Sequence, residues 1–163
     1  MIILGVDPGL ARTGFGLIKT QKECLKVLDY GCISTGSKMM SAKRLEKLFL
    51  EIKKIIKKYK PNLIVIEELF FAQNSKTALK VGEARGVAIL AFNEAKCPIL
   101  EMTPLQVKMF LTSYGRASKK QIQQMVKIKL NLKEIPKPDD AADALALAIC
   151  GAKLMNQRKL YHR

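Results

Sequence analysis

The chain has no tryptophan and a single histidine, His162, next to its last residue. A Ser-His-Asp or Cys-His relay needs an imidazole base inside the folded body. Chemistry of that kind is excluded, and any catalysis must rest on carboxylates, lysines or a metal. The four cysteines, Cys24, Cys32, Cys97 and Cys150, are widely scattered with no C-x-x-C pair. They form neither a disulfide framework nor a zinc motif and are expected as small core residues. Nowhere do about 18 apolar residues run together, so no membrane-spanning helix is expected. The start, MIILGVDPGL, has no basic stretch ahead of a long apolar run and does not read as a secretory leader; the chain is expected in the cytoplasm, away from membranes. Acid is also scarce, with 14 Asp plus Glu against 29 Lys plus Arg, for a formal charge of +15. Such an excess attracts polyanions and makes their binding salt-dependent. Nucleic acid is the first partner to consider.

The 163 residues, 48% of them hydrophobic, suffice for one compact core. A single domain over residues 1–163 is expected, with a short basic tail from about residue 156. IILGVD is a short apolar run stopped by Pro8 and Gly9, the pattern of a buried strand meeting a turn. TGFGLI, from Thr13 to Ile18, should pair with it as a hairpin, and a third strand is expected from Leu25 to Ser34. Between Ser41 and Tyr59 the apolar residues Leu45, Leu48, Phe49, Ile52, Ile55, Ile56 and Tyr59 recur at helical spacing, with a solvated lysine stripe opposite. LIVIEE, from Leu63, reads as a strand covered on both faces. A helix from about Ser75 to Phe92 is interrupted by Gly82 and Gly86, which suggest close packing against another backbone. CPIL reads as one more strand. Thr103 with Pro104 opens a helix to about Leu111 that Gly115 would end, and Ser118 with Gln121 opens another. The last helix starts after Pro138 and is apolar almost all round. Strands first, then alternating helix and strand, predict an α/β domain with a mixed sheet covered by helices.

Within these core-forming segments stand a few acids. Asp7 ends the first buried strand, Glu67 and Glu68 end the second, and Asp140 and Asp143 lie three apart on an otherwise Ala- and Leu-rich helix. Separate structural duties could account for each: turn bonding for Asp7, capping for Asp140, a lysine partner for Asp143, water for Glu67. Taken together they suggest a hard-metal site, since a buried carboxylate needs a partner, a proton or a cation. Two Mg²⁺ ions held by such oxygens can activate water and stabilise a leaving oxygen in phosphodiester cleavage. Counting by two along LIVIEE puts Glu67 with Leu63 and Val65 and Glu68 with Ile66, but the pattern does not say which face is the working one.

Four segments, ILGVDPGLARTGFGLI, IVIEELFFAQNSKTALKVGEARGVAI, TPLQVKMFLTSYGRASKKQIQQMV and DDAADALALAI, resemble in order and spacing the signatures of the RuvC family of bacterial Holliday junction resolvases. The resemblance covers nearly the whole chain. It implies a ribonuclease-H-like fold and a homodimeric, Mg²⁺-dependent endonuclease that nicks opposing strands of a four-way DNA junction symmetrically. It also implies RuvA and RuvB as branch-migration partners. By motif, Asp7, Glu67, Asp140 and Asp143 fall on the family's catalytic and metal-binding acids, with Glu68 and Asp139 as extra acids beside two of them. Mn²⁺ would substitute for Mg²⁺ in an all-oxygen set. Phe70 falls on the family's base-stacking aromatic, and Lys108 and Lys119 on DNA-binding lysines near the cut. Lys119 also starts a helix, where a cation opposes the macrodipole and an anionic partner helps to explain it.

Other readings remain open at this level. D-P-G-x-x-x-x-G also resembles the first phosphate loop of actin-like and sugar-kinase folds, which need two domains and more chain than this. A junction-binding module without catalysis would keep the acids as structural caps. A ribonuclease-H-like nuclease could also act on a different nucleic acid.

Overall fold

The computed structural model describes residues 1–21, 24–68 and 75–161, with residues 75–77 and 157–161 described by their backbone alone. The chain opens with a meander, β1 (Ile2–Asp7), β2 (Arg12–Gln21) and β3 (Cys24–Ser34), whose neighbours pair antiparallel. Helix α1 (Ser41–Tyr59) then carries the chain back across the sheet, so that β4 (Leu63–Glu67) lies parallel to β1. Helix α2 (Ser75–Glu94) makes the next crossover, and β5 (Ile99–Met102) pairs parallel with β4. The result is a five-stranded mixed sheet of order β3-β2-β1-β4-β5. Three helices complete the chain: α3 (Pro104–Thr112), α4 (Lys119–Lys129) and α5 (Asp139–Tyr161).

Strand alternation divides the core into two layers. Leu4, Val6, Ile64 and Ile66 face α1 and α2, where they meet Leu48, Ile52, Ala84, Ala88 and Phe92. Ile3, Leu63 and Val65 face the opposite way and pack against α3, α4 and α5. The second layer is closed by close approach rather than by bulk. Gly5 and Gly14 present bare backbone to α5: a Cβ on Gly5 would lie 1.9 Å from the Ala144 carbonyl oxygen, and one on Gly14 1.9 Å from that of Asp140. The Ala-rich face of α5, with Ala141, Ala144 and Ala148 fully buried, is the matching surface. Small residues on both sides let the helix axis ride low over β1 and β2.

Several boundaries differ from expectation, each for a local reason. The last strand is Ile99–Met102 rather than residues 97–100, because the chain at Pro98 is still entering the sheet and offers only its carbonyl, which accepts from Ile64 N. Helix α3 has the expected Thr103 cap and capping box, but Ser113 in the left-handed region ends it, two residues before Gly115. At Gly86 an added Cβ would meet nothing within 4 Å, so the close packing expected there is absent. Helix α5 continues to Tyr161, through most of the stretch expected as a tail.

Replacing Gly5 by Ala tests the close approach directly. The added methyl must push α5 away from β1, and overpacking of this kind costs about 1–3 kcal/mol. A urea melt of Gly5→Ala should show that loss, and an unchanged midpoint would contradict the packing described.

Candidate functional site

The sheet register brings the first two acids together. Val6 and Ile66 are partners across β1 and β4, so Asp7 and Glu67, each the last residue of its strand, stand one step beyond that pair. Both share the face of Ile3, Leu63 and Val65, the side of the sheet covered by α5. The neighbouring acids differ in place: Glu67 points into the helical layer, while Glu68 is exposed and its backbone N–H donates to the Met102 carbonyl. The first turn of α5 lies over Gly14, the residue paired with Asp7 across β1 and β2, which brings Asp140 and Asp143 above the same strand end.

A cavity of about 220 Å³ opens there. Asp7, Glu67 and Asp143 line it with Lys108 and Val107 of α3, Lys119 and Ile122 of α4, and Ala146 and Leu147 one turn along α5. The capping boxes at Thr103 and Ser118 fix the starts of α3 and α4 and so the places of Lys108 and Lys119 on the cavity wall. Asp140 is not part of that lining. Its carboxylate sits 3.7 Å from the Arg12 guanidinium, at the β2 side of the cluster.

Crowding of like charge governs the electrostatics. The Asp7 carboxyl is pushed up to about 7, first by burial and then by the charges of Glu67, Asp143 and Asp140, against a smaller opposing pull from Lys119. Burial also raises Glu67, helped by Asp143. Asp143 is raised by burial too, although a hydrogen bond and the charge of Lys119 pull the other way. The Lys119 ammonium lies 2.9 Å from Asp143 and 3.5 Å from Asp139. Burial works against its charge, but the bond and charge of Asp143, with those of Asp139, outweigh it and hold its pKa above the ordinary lysine range.

Arg12 and Lys119 thus each draw one acid of the group toward themselves. Among the described residues no three Asp, Glu, His or Cys side chains converge on a single point at metal-holding distance. The donor chemistry nevertheless fits a hard divalent cation: the ligand candidates are all carboxylates, and burial together with neighbouring acids raises Asp7, Glu67 and Asp143. Asp140 and Asp143 each have a cationic side chain at ion-pair distance, whereas among the described residues Asp7 and Glu67 have none.

Of the residues singled out from sequence, Asp7, Glu67, Asp143, Lys108 and Lys119 share the cavity, and Asp140 stands beside it. Lys108 has no carboxylate at ion-pair distance among the described residues. Phe70 lies outside the described residues. The lysine stripe of α1 proves to be partly paired, Lys43 with Glu46 and Lys54 with Glu51 on the helix itself and Lys53 with Glu94 on α2. Sequence reasoning passed over Arg12. The signal was present, since counting by two from Gly16 and Gly14 places Arg12 on the same face, directly beside the start of α5. It also passed over Thr13, whose hydroxyl donates to the Gly9 carbonyl at 2.7 Å and accepts from Gly9 N at 3.2 Å, closing the turn after Asp7.

Comparison with known proteins gives a concordant result. The family pattern of the crossover junction endodeoxyribonuclease RuvC matches residues 3–151. The crossover junction endodeoxyribonuclease RuvC of Alkaliphilus oremlandii is 54% identical over 161 residues, 99% of this chain and 98% of the relative. The structure of Thermus thermophilus RuvC superposes with a TM-score of 0.90 at 30% identity over 96% of each chain. That of T. thermophilus RuvC in complex with a Holliday junction substrate does so with a TM-score of 0.88 at 28% identity, again over 96% of each. Family pattern, near-full-length identity and shared fold agree from the first strand to the last helix, and this chain belongs to the RuvC family of crossover junction endodeoxyribonucleases.

Proposed function

We propose that this chain resolves Holliday junctions by hydrolysing one phosphodiester in each of two opposing strands, with Asp7, Glu67, Asp140 and Asp143 holding two Mg²⁺ ions per site. The observation that carries this reading is the position of Asp7, a carboxyl pushed up to about 7 first by burial and then by three neighbouring acids, in a cavity that Lys108 and Lys119 also line. Asp140 and Asp143 each have a cationic partner, but Asp7 and Glu67 share the cavity with no cation at ion-pair distance among the described residues. The all-carboxylate set suits Mg²⁺, with Mn²⁺ as a working substitute.

When bound, such ions supply the Lewis-acid charge that activates a water and stabilises the leaving oxygen of a phosphodiester. The protein's own part is to bind and orient. Asp7 must be ionised to act as a ligand, and a cation provides the charge that ionises it. Lys119 holds Asp143 until a DNA phosphate offers it a second anion, which places it between ligand cluster and substrate. Lys108, on the same wall with no carboxylate partner among the described residues, is left to the phosphate backbone. Phe70, next to Leu69 after the end of β4, is assigned by its motif to stack on a base near the cut, where stacking contributes roughly 1–3 kcal/mol.

The chain acts as one nuclease domain in the cytoplasm, and two copies, each addressing one of the symmetry-related strands, would give paired nicks. Junction selectivity then follows from dimer geometry and DNA shape. RuvA and RuvB are the partners that this reading expects to deliver the junction. Among the described residues no helix is long and apolar enough to cross a membrane.

Asp7→Asn should abolish Mg²⁺-dependent nicking of a labelled four-way junction while leaving junction binding near the parental level, because a ligand is lost without any loss of positive charge. Nicking at the parental rate would refute the assignment.

The same carboxyl makes stability pH-dependent in metal-free protein. Its folded pKa, about 7, lies above the unfolded value of 3.8, so between those limits the folded state holds the extra proton. Stability is therefore fully present below about pH 4 as far as this group is concerned, and falls as pH rises toward 7, by on the order of a few kcal/mol. Asp7→Asn should flatten that slope and melt higher than the parent at pH 8 in chelator. Superimposable melting profiles would show that Asp7 is not crowded.

A third expectation concerns Lys119. With its ammonium removed in Lys119→Gln, the DNA-free protein should bind Mg²⁺ more tightly by up to about fivefold, the range of a partly exposed ion pair, while cleavage slows. Calorimetry and a nicking assay read the two effects separately, and weaker Mg²⁺ binding would contradict the competition described.

A further inference from the structure

Helix α2 lies on the opposite side of the sheet from the acidic cavity, yet one of its side chains reaches the last residue of β4. The stripe Ala84, Ala88, Ala91 is fully buried against the sheet. Beside it Arg85, with only 17% of its side chain exposed, turns toward the ends of the parallel strands. Its Nε donates to the Glu67 carbonyl oxygen at 3.2 Å, and its Nη2 donates to Oε2 of Glu101 on β5.

Register explains why one guanidinium meets both. Ile66 pairs with Glu101 and Glu67 with Met102, so Glu101 and the Glu67 peptide sit side by side at the edge of the β4–β5 ladder. Met102 points into the α5 layer and Ile99 toward α2, which puts Glu101 on the α2 side by alternation. The Glu67 carbonyl is where β4 gives up its strand geometry, because the next amide, of Glu68, makes the last bond to β5 through the Met102 carbonyl. A planar guanidinium can hold a carbonyl and a carboxylate at once in fixed directions, which an ammonium on a flexible stem cannot.

We propose that Arg85 is a positioning residue for the nuclease reaction. Clamped between Glu67 and Glu101, it fixes the peptide at the end of β4 and so the direction in which the Glu67 carboxylate enters the cavity on the far side of the sheet. The inference rests on the reading of Glu67 as a metal ligand given above. Groups that orient a ligand from behind change cation affinity by roughly 10- to 100-fold when removed. Glu101, about half exposed, loses little when its partner goes, since water can take the place of the guanidinium.

The test uses full-length Arg85→Gln, Arg85→Lys, Glu101→Gln and Glu67→Gln. Three quantities are read: Mg²⁺ binding by calorimetry without DNA, the Mg²⁺ concentration for half-maximal junction nicking, and the urea midpoint. Arg85→Gln should weaken Mg²⁺ binding and raise the half-maximal concentration by roughly tenfold or more, with metal-free junction binding unchanged. Arg85→Lys should recover only part of this, and Glu101→Gln, whose amide oxygen still accepts from Arg85, should stay near the parent.

Arg85→Gln with parental Mg²⁺ binding overturns the proposal. So does a loss of activity that merely follows a lower folded fraction while the Mg²⁺ dependence of the remaining activity is unmoved. Should Arg85→Gln fail to fold, Arg85→Lys decides by the same criterion. Glu67→Gln separates the two levels: if it binds Mg²⁺ like the parent, Glu67 is no ligand and the underlying reading fails, whatever Arg85 does.

Discussion

The rest of the structure depends on how closely α5 approaches β1 and β2. At Gly5 and Gly14 the sheet offers no side chain, and α5 answers with alanine, so that backbone meets backbone where a single methyl would collide. That contact places the first turn of α5 over the end of β1. Asp140 and Asp143 are carried there by the helix, Asp7 and Glu67 by two adjacent parallel strands. Acids distant in sequence become neighbours because of a packing constraint, not through any attraction among themselves.

Their mutual repulsion is the counterpart of that constraint. A chain with a formal charge of +15 has brought four of its carboxylates to the ends of β1 and β4 and the start of α5, with Lys108, Lys119 and Arg12 beside them. Two of those cations already lean on the acids, Lys119 on Asp143 and Arg12 on Asp140. The arrangement costs folding energy in the absence of a cation and is kept by covalent placement on rigid elements. On the proposed reading a divalent ion would relieve this crowding, and a polyanion would give Lys119 a new partner. Local destabilisation and catalytic competence then have one cause, the burial of like charges.

Much of this was legible in the sequence because the governing patterns are local. The amphipathic period of residues 41–59, the capping boxes at Thr103 and Ser118 and the apolar runs ending in acid each specify an element without reference to the rest of the chain. The acids were found the same way, as polar interruptions of core-forming segments, and the motif resemblance sharpened their assignment. The face of Glu67 could not be read, since both faces of β4 are buried and only the position of α5 distinguishes them. Arg12 and Arg85 escaped notice for a related reason. Each looks like an ordinary surface charge along the chain and gains meaning only from a partner on another element, Asp140 for the one and the end of β4 for the other. Glycine alone is a poor guide to close packing: it is expected at Gly86, where space is open, while the close approaches fall at Gly5 and Gly14, for which the sequence pattern gives no such expectation.

The proposed cation site lies among carboxylates where burial, and then like charge, pushes Asp7 up to about 7. It is tested most directly by following the Asp7 side-chain carboxyl by carbon-detected NMR through a pH titration, in chelator and again in saturating Mg²⁺. The account predicts an apparent pKa of about 7 in chelator and a marked downward displacement with Mg²⁺. A carboxyl that titrates in the ordinary aspartate range in both conditions would contradict it.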